Sequence, residues 1–405
     1  MHIVLFLSGL AGGGAQRRMI TLARGFAERG CRVDLVAARG EGPFRAQVPS
    51  SVRVIGLDNP WQRLPVLGNM RGLWVPASTW ALAGYLLRER PDVLVSTSTP
   101  ANLTAIWARL CSRLEIPLVV SVNVHLSASV QGRPKAYGWL LRRLLRHSYP
   151  RADGVIAISR GVASDVAEFA GVPEERIATI YNPVDVSFIQ SQARKTPDEL
   201  KPELKPENSG IPLILGVGKL KRQKDFGTLI EAFARVRRVR RVRLVILGEG
   251  EERGALTRLA RRLGVAADVS LPGFVANPYA WMARASVFVL SSAWEGFSNA
   301  LLEALAVGCP AVSTDCPSGP REILDHGTYG PLVLVGDDRA LAAAILATLD
   351  APPEPAFLRA RAAAFSLDAA VEGYLGVLRG LSSWTAGGPA PVAPVRPPIS
   401  PVATR

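Results

Sequence analysis

Residues 291–308 read SSAWEGFSNALLEALAVG, and the apolar run Val287-Phe288-Val289-Leu290 just before them has the composition of a buried parallel strand. Ser298 and Asn299 carry side chains suited to a helix N-cap, and Ala300-Leu301-Leu302-Glu303-Ala304-Leu305 is built of strong helix formers. Trp294-Glu295-Gly296-Phe297 is therefore a strand-to-helix turn at the carboxyl end of a strand, where open α/β sheets bind ligands. The helix behind the turn directs unpaired N–H groups and a partial positive charge into the same crevice, which suits a phosphate. Glu295 and Glu303 stand eight residues apart, one on the turn and one on the helix. Eight helical residues rise about 12 Å and leave the two side chains about 80° apart. A glycosidase pair needs its carboxyls about 5–9.5 Å apart. The two acids fit better as hydroxyl acceptors at the two ends of a sugar nucleotide, although a carboxylate such as Glu303 taken alone is more often just one solvated helix carboxylate among many.

The chain has 405 residues, enough for two domains with a core each. Hydrophobic residues make up 48% and charged residues 20%, the balance of a soluble globular protein. Cys31, Cys111, Cys309 and Cys316 lie far apart with no CxxC, so neither a zinc site nor a disulfide framework is indicated. A reducing cytosol is the default compartment. Met1 leads directly into a strand without a basic-then-apolar prelude, so no signal peptide is expected. The longest uncharged apolar-rich run, Gly72 to Leu87, has 16 residues and is too short to span a bilayer. Of the net charge of +14, most lies in Met1 to Pro183, which holds 22 Lys and Arg against 12 Asp and Glu. A basic face attracts nucleic acid or anionic membrane. Mixed here with Trp61, Trp74, Trp80, Tyr137 and Trp139 beside leucine-rich segments, it favours the membrane surface.

His2 to Leu7 is an apolar strand, Gly9-Leu10-Ala11-Gly12-Gly13-Gly14 a glycine loop, and Met19, Leu22, Ala23 and Phe26 share one face of the helix that follows. With Arg32 to Ala37 this completes a βαβ unit. The glycine spacing falls short of a dinucleotide fingerprint, and no acid ends the second strand. Val52 to Gly56, Val93 to Ser96, Leu118 to Val122 and Gly154 to Ile158 are further strands separated by helical stretches, which argues for a doubly wound parallel sheet. Asn123 and His125 leave Leu118 to Val122 at its carboxyl end, on the side of the glycine loop; a lone histidine is often only structural.

Two segments look membrane-directed, 61–90 and 133–151. The second reads RPKAYGWLLRRLLRHSYPR and sets Leu140, Leu141, Leu144 and Leu145 against Arg142, Arg143 and Arg146. A core helix with a basic outer face has the same pattern. Asn182-Pro183-Val184-Asp185 closes a first domain of residues 1–185. Residues 186–210, polar and rich in proline, are expected to be an interdomain linker. The second domain, 211–365, starts with the strand Leu213 to Val217 and the loop GKLKRQK, which carries Lys219 and Lys224. The strand Val242 to Leu247 leads to Gly248-Glu249-Gly250, and Leu271 to Val275 is a further strand end and turn. Pro310 to Thr314 is the next strand; Asp337 to Leu349 and Phe357 to Leu378 are expected to be helical. Residues 366–381 are expected to return to the first domain as a helix, and 382–405 form a Pro/Ala/Gly tail unable to build a core.

Taken together, EGFSNALLEA, GKLKRQK, the glycine loop and NPVD resemble the GT-B glycosyltransferases of retaining family 4, over about residues 1–380. The resemblance implies two Rossmann-like doubly wound parallel-sheet domains facing across a cleft. It implies that Lys219 and Lys224 clamp the donor diphosphate beside Gly296, Phe297, Ser298, Asn299 and Leu301 at the helix N-terminus. Glu303 would accept the ribose hydroxyls and Glu295 those of the transferred sugar. The loop Gly248 to Gly250 and the turn Phe274-Val275 would border the base. From the first domain, Gly14 would approach the donor phosphate or the acceptor and His125 the sugar, with Gly13 and Asn123 on the acceptor side. Lys219 stands where the family usually has Arg, a point charge instead of a planar fork, and Gln16 replaces a common Glu. The segment DCPSGPREIL resembles the subgroup that adds N-acetylhexosamine or galactose to polyprenyl-diphosphate-linked oligosaccharides.

The implied chemistry is transfer of a hexose or N-acetylhexosamine from a UDP-sugar, such as one carrying N-acetylgalactosamine, without metal or other cofactor; lysines and a helix dipole stabilise the leaving diphosphate. The implied partners are a nucleotide-sugar donor, a lipid-linked saccharide acceptor and an anionic membrane surface, with no nucleic acid. Arg133, Lys135, Tyr137, Trp139, Arg142, Arg143 and Arg146 would meet that surface on the inner face of the cytoplasmic membrane. Two other readings remain at this level: a GT-B UDP-sugar epimerase, and a non-catalytic basic nucleotide- or nucleic-acid-binding protein. Too few aromatics stand beside the basic runs to favour the latter.

Overall fold

The computed structural model describes residues 1–11, 13–57, 77–195 and 210–384. Gly12, Trp61, Trp74, most of the expected linker and residues 385–405 of the expected tail lie outside the described residues. The chain divides into two compact units, Met1–Pro183 with the helix from Leu367 onward, and Val184–Ser366.

In the first unit the apolar runs form β1 (His2–Leu7), β2 (Arg32–Ala37), β3 (Arg53–Gly56), β4 (Val93–Thr97), β5 (Leu118–Val122), β6 (Gly154–Ala157) and β7 (Ile177–Thr179). The sheet order is β3-β2-β1-β4-β5-β6-β7 with every neighbouring pair parallel. Leu5 in β1 sits opposite both Leu35 and Val95, so β1 is covered on both edges and reads as an unbroken apolar run. One face packs on Met19, Leu22 and Phe26 of the helix Gly14–Glu28 and on Val371, Tyr374 and Leu378 of the helix Leu367–Trp384. Phe26 and Tyr374 meet edge to face at 6.1 Å, and burying a ring such as Phe26 contributes about 2–3 kcal/mol. Arg29 bridges Asp368 and Glu372, each at 2.7 Å, at the exposed end of the same contact.

The second unit holds β8 (Leu213–Val217), β9 (Arg243–Leu247), β10 (Val269–Gly273), β11 (Val287–Leu290), β12 (Ala311–Thr314) and β13 (Leu332–Val333). Their order is β10-β9-β8-β11-β12-β13, again parallel throughout. Strand order reverses between β1 and β4 in the first sheet and between β8 and β11 in the second, the positions where open parallel sheets leave a ligand crevice.

Two expectations need correction. Residues 186–193 are not linker: Val186–Ala193 is a helix capped by the Asp185 side chain, which accepts from Phe188 N at 3.0 Å. Ile189 is buried, and Phe188 meets Tyr279 edge on at 6.2 Å, so the helix belongs to the second unit despite its polar composition. The helix expected over Phe357 to Leu378 is two, Pro355–Ala363 and Leu367–Trp384. At the break Phe365 is buried against Phe297 with ring centroids 5.7 Å apart, and its carbonyl accepts from Val184 N at 2.8 Å. That fixed Phe365 ends the second unit. The short edge strands β7 and β13 were not legible, being only three and two residues long.

Candidate active site

The loops that follow β8 and β11 lie side by side because those strands are neighbours, and a set of hydrogen bonds stitches them together. Ala293 N donates to Gln223 O at 2.8 Å, Gln223 Nε2 to Trp294 O at 2.8 Å, and Ser291 Oγ to Lys224 O at 2.9 Å. The result is a buried ion pair. Lys224 Nζ donates to Glu295 Oε1 at 2.5 Å, and Ser292 Oγ donates to the same oxygen at 2.7 Å. Glu295 is only 5% exposed. A charge so placed is tolerable only when paired and hydrogen-bonded.

Lys219 is exposed on the same loop, and Lys221, which the motif reading passed over, stands half-buried between the other two. Burial first, and then the Lys224 charge, hold the Lys221 ammonium below its usual range. The alternation of lysines in GKLKRQK was the signal for it. Cys316 is buried near Glu295 and Lys224; burial and then the Glu295 charge push its thiol above the usual range. The segment carrying it walls the turn: Glu295 N donates to Pro317 O at 3.2 Å, and a Cβ on Gly319 would stand 2.9 Å from Phe297 Cα.

The glycines assigned to the donor have a packing reason before any ligand is considered. A Cβ on Gly248, at φ +138°, would lie 1.9 Å from Gly218 O, and one on Gly250 would lie 2.3 Å from Leu220 O. Only glycine lets the β9 loop rest on the lysine loop. Gly248 N also donates to Gly273 O at 2.7 Å, which ties in the β10 turn, where Phe274 is 75% exposed and Val275 partly so. An exposed ring beside tied backbone loops is a platform for a flat ligand.

Residues expected at the helix N-terminus differ among themselves. The helix Asn299–Val307 begins after Ser298, but the Ser298 side chain makes no cap; its buried Oγ has no hydrogen-bond partner. The side chains of Phe297 and Leu301 are buried in the unit's interior, which leaves their backbone N–H groups as the part of each that the helix N-terminus presents. Gly296 and Asn299 flank them on the turn and first helical position, and Glu303 is partly exposed.

In the first unit, Gly13 takes φ 133° and precedes Gly14, the first residue of its helix. A Cβ on Gly13 would come 2.7 Å from Gln16 Oε1. His125 Nδ1 lies 3.2 Å from Asp165 Oδ1 and 3.2 Å from Ser127 Oγ, which turns Nε2 away from the carboxylate. Asp165 also accepts from the backbone N–H groups of Leu126 and Ser127, so it fixes both the ring and the loop that carries it. No sequence signal pointed to Asp165, 40 residues downstream of His125. Asn123 is committed inward at both ends of its amide: Oδ1 accepts from Arg18 Nη2 at 2.5 Å, and Nδ2 donates to Thr97 Oγ1 at 2.5 Å. Its side chain braces the loop that follows β5.

The helix Lys135–Ser148 buries only Leu145 and Ser148. Trp139 at 62% and Leu140 at 60% are exposed, with Tyr137 and Leu144, so it is not a core helix with a basic outer face. Arg143 lies 5.6 Å over the Trp139 ring and Arg133 5.0 Å over Tyr137, while Lys135 and Arg142 are exposed. Arg146 bonds the carbonyls of Phe169 and Glu168 at 3.3 and 2.9 Å and is an anchor within the unit. Among the described residues no helix is long and apolar enough to cross a membrane, and no cluster of three or more His, Cys, Asp or Glu could hold a metal ion.

Residues 12–188 match the family described as Glycosyltransferase Family 4, and residues 211–351 match Glycosyl transferases group 1. The chain is 33% identical over 241 residues to the N-acetylgalactosamine-N,N'-diacetylbacillosaminyl-diphospho-undecaprenol 4-alpha-N-acetylgalactosaminyltransferase of Campylobacter jejuni, with 59% of this chain aligned to 62% of that protein. It is 28% identical over 335 residues to the lipopolysaccharide core biosynthesis glycosyltransferase LpsE of Rhizobium meliloti, over 82% of this chain and 84% of that one. The chain thus spans about three fifths of the Campylobacter protein's length. Among solved structures, Anabaena HepE in complex with UDP and glucose matches with a TM-score of 0.73 at 21% identity, over 93% of this chain and 99% of that one. At that identity the likeness concerns the fold, which is GT-B.

Proposed function

Because the chain belongs to the group 1 and family 4 glycosyltransferases, we propose that it moves a hexose or N-acetylhexosamine from a UDP-sugar to a lipid-linked glycan, with retention and without a metal. The observation that carries this reading is the Lys224–Glu295 pair at the β8/β11 switch point, with Lys219 and Lys221 on the same loop. The Campylobacter relative is named for transfer to a diphospho-undecaprenol saccharide, and HepE was solved with UDP and glucose. In the proposed reaction the lysines receive the diphosphate as the bond from the sugar's anomeric carbon to the phosphate oxygen breaks. Charge develops on that oxygen, where preorganised cations act most strongly. The acceptor hydroxyl attacks from the same face, and its proton passes to the departing phosphate oxygen. Glu295 accepts from hydroxyls of the transferred sugar and Glu303 from the ribose. The test is release of UDP from a panel of UDP-sugars, with and without a polyprenyl-diphosphate saccharide, in excess EDTA. Turnover should be acceptor-dependent and unchanged by EDTA; loss on chelation with recovery on adding magnesium would contradict the metal-free course.

The same reading takes the enzyme to the inner face of the cytoplasmic membrane, where a lipid-borne acceptor waits. Trp139, Leu140, Tyr137 and Leu144 would seat in the interface, with Arg133, Lys135, Arg142 and Arg143 meeting anionic headgroups at roughly 1 kcal/mol each. Such attraction reaches only about 8 Å at physiological salt. Co-sedimentation should therefore favour phosphatidylglycerol over phosphatidylcholine vesicles, weaken in high salt, and fall sharply in an R142E/R143E variant. Equal binding to both lipids would rule the docking out.

A further inference from the structure

Arg18 lies on the apolar stripe of the helix Gly14–Glu28 and is 4% exposed. Its Nη1 donates to Asn182 Oδ1 at 3.2 Å, and its Nη2 reaches Thr97 Oγ1 at 3.2 Å, Ser121 Oγ at 2.7 Å and Asn123 Oδ1 at 2.5 Å. The Met19 sulfur is 4.0 Å away, and buried Nε has no partner. Every group it touches is neutral; among the described residues no carboxylate pairs with it. Burial pulls its pKa down from the usual value, opposed only by the Tyr374 phenol, which also contacts Ser121 Oγ at 3.2 Å. Burying a guanidinium without a counter-charge is costly, and neutral hydrogen bonds offset only part of that cost. An apolar side chain of similar length would fill the same space but leave buried oxygens without their donor; a neutral donor would satisfy those oxygens, so the hydrogen bonds do not by themselves require a charge.

Position suggests what the charge is for. The helix follows β1, Thr97 ends β4, Ser121 lies near the end of β5, and Asn123 and Asn182 follow β5 and β7. The guanidinium therefore sits beneath the carboxyl ends of the strands at the β1/β4 switch point, on the ligand side of the sheet. Of its four oxygen partners only Asn123 is partly exposed, so Asn123 is its route to the surface.

We infer that Arg18 is a buried specificity-determining cation whose unneutralised charge, relayed through Asn123, favours a phosphate-bearing ligand group over the strand ends of the first unit. This rests on the transferase reading above. The group is either the donor's diphosphate or the acceptor's lipid diphosphate. Being buried, the charge acts through a low-dielectric interior and is screened little by salt.

Two variants neutralise the charge by independent routes. R18M removes it, and N182D pairs it with a carboxylate shaped like the amide that already accepts from it. Calorimetric titration with UDP, and with farnesyl diphosphate against farnesol as the uncharged control, reads the result. N182D should keep a thermal midpoint at or above that of the wild type, R18M should lose some stability because Asn182 and Asn123 lose their donor, and both should weaken at least one diphosphate by about tenfold. Weakening confined to UDP assigns the donor, and weakening confined to farnesyl diphosphate assigns the acceptor; each supports the inference. If R18M does not fold, N182D decides. Folded variants that bind both diphosphates like the wild type would overturn the inference alone, whereas a wild type that binds neither would overturn it together with the transferase reading.

Discussion

Lys224→Ala should lower sugar transfer by about 10²–10³-fold, the usual effect of removing one group that stabilises developing charge. It should also lower stability, because Lys224 is the partner of a buried carboxylate. Removing one member of a buried pair leaves the other uncompensated, and both side chains here are largely buried, Lys224 at 16% and Glu295 at 7% accessible. Some access to water and the Ser292 hydroxyl soften the loss, so the expected cost is about 2–3 kcal/mol. For a domain of this size that is a fall of about 5–10 °C in the second unit's midpoint. The double variant K224M/E295Q removes both charges and should regain most of the midpoint while transfer stays as low as in K224A. Calorimetry beside a transfer assay checks both halves. Near wild-type turnover in K224A would remove Lys224 from the chemistry, and recovery of activity in the double variant would reduce the pair to a structural bridge.

Gly248→Ala should be among the most destabilising single-methyl changes in the second unit. The added Cβ would meet the Gly218 carbonyl oxygen at 1.9 Å, on a backbone with φ +138° that other residues rarely adopt. Backbone strain and overpacking each cost about 1–3 kcal/mol, so a combined loss of about 3 kcal/mol or more is expected. The shift falls on the lysine loop, so UDP affinity should drop with stability. Gly264→Ala is the control: its φ of +71° is strained, but nothing lies within 4 Å of the new Cβ. That strain alone costs about 1–2 kcal/mol. A Gly248→Ala midpoint no lower than that of Gly264→Ala would mean the β9 loop relaxes freely and does not brace the site.

What the sequence revealed follows from how local each feature is. The strand Val287–Leu290, the turn at Glu295 and the helix from Asn299 are contiguous, so composition and periodicity sufficed to place them. The Lys224–Glu295 bond joins residues 71 positions apart and exists only because β8 and β11 are neighbours. No local pattern carries that adjacency. Motif position places Ser298 and Leu301 at the helix N-terminus but does not show that both side chains turn inward. Val186–Ala193 was mistaken for linker because only Ile189 is buried, too weak a stripe to register, though Asp185 at its cap was a usable sign. Arg18 is instructive in the other direction. It stands four residues before Leu22 and eight before Phe26, on the buried stripe, and that misplaced charge was visible in the sequence.

The most direct test of the proposed chemistry is the anomeric configuration of the product. The protein is incubated with a panel of α-linked UDP-sugars and a polyprenyl-diphosphate saccharide, and the anomeric proton coupling of the product of the active donor is read by NMR. An α-linked product, formed only when acceptor is present and accompanied by equimolar UDP, is the expected result. A β-linked product, or UDP-sugar consumed with no glycan formed from any donor, would contradict it.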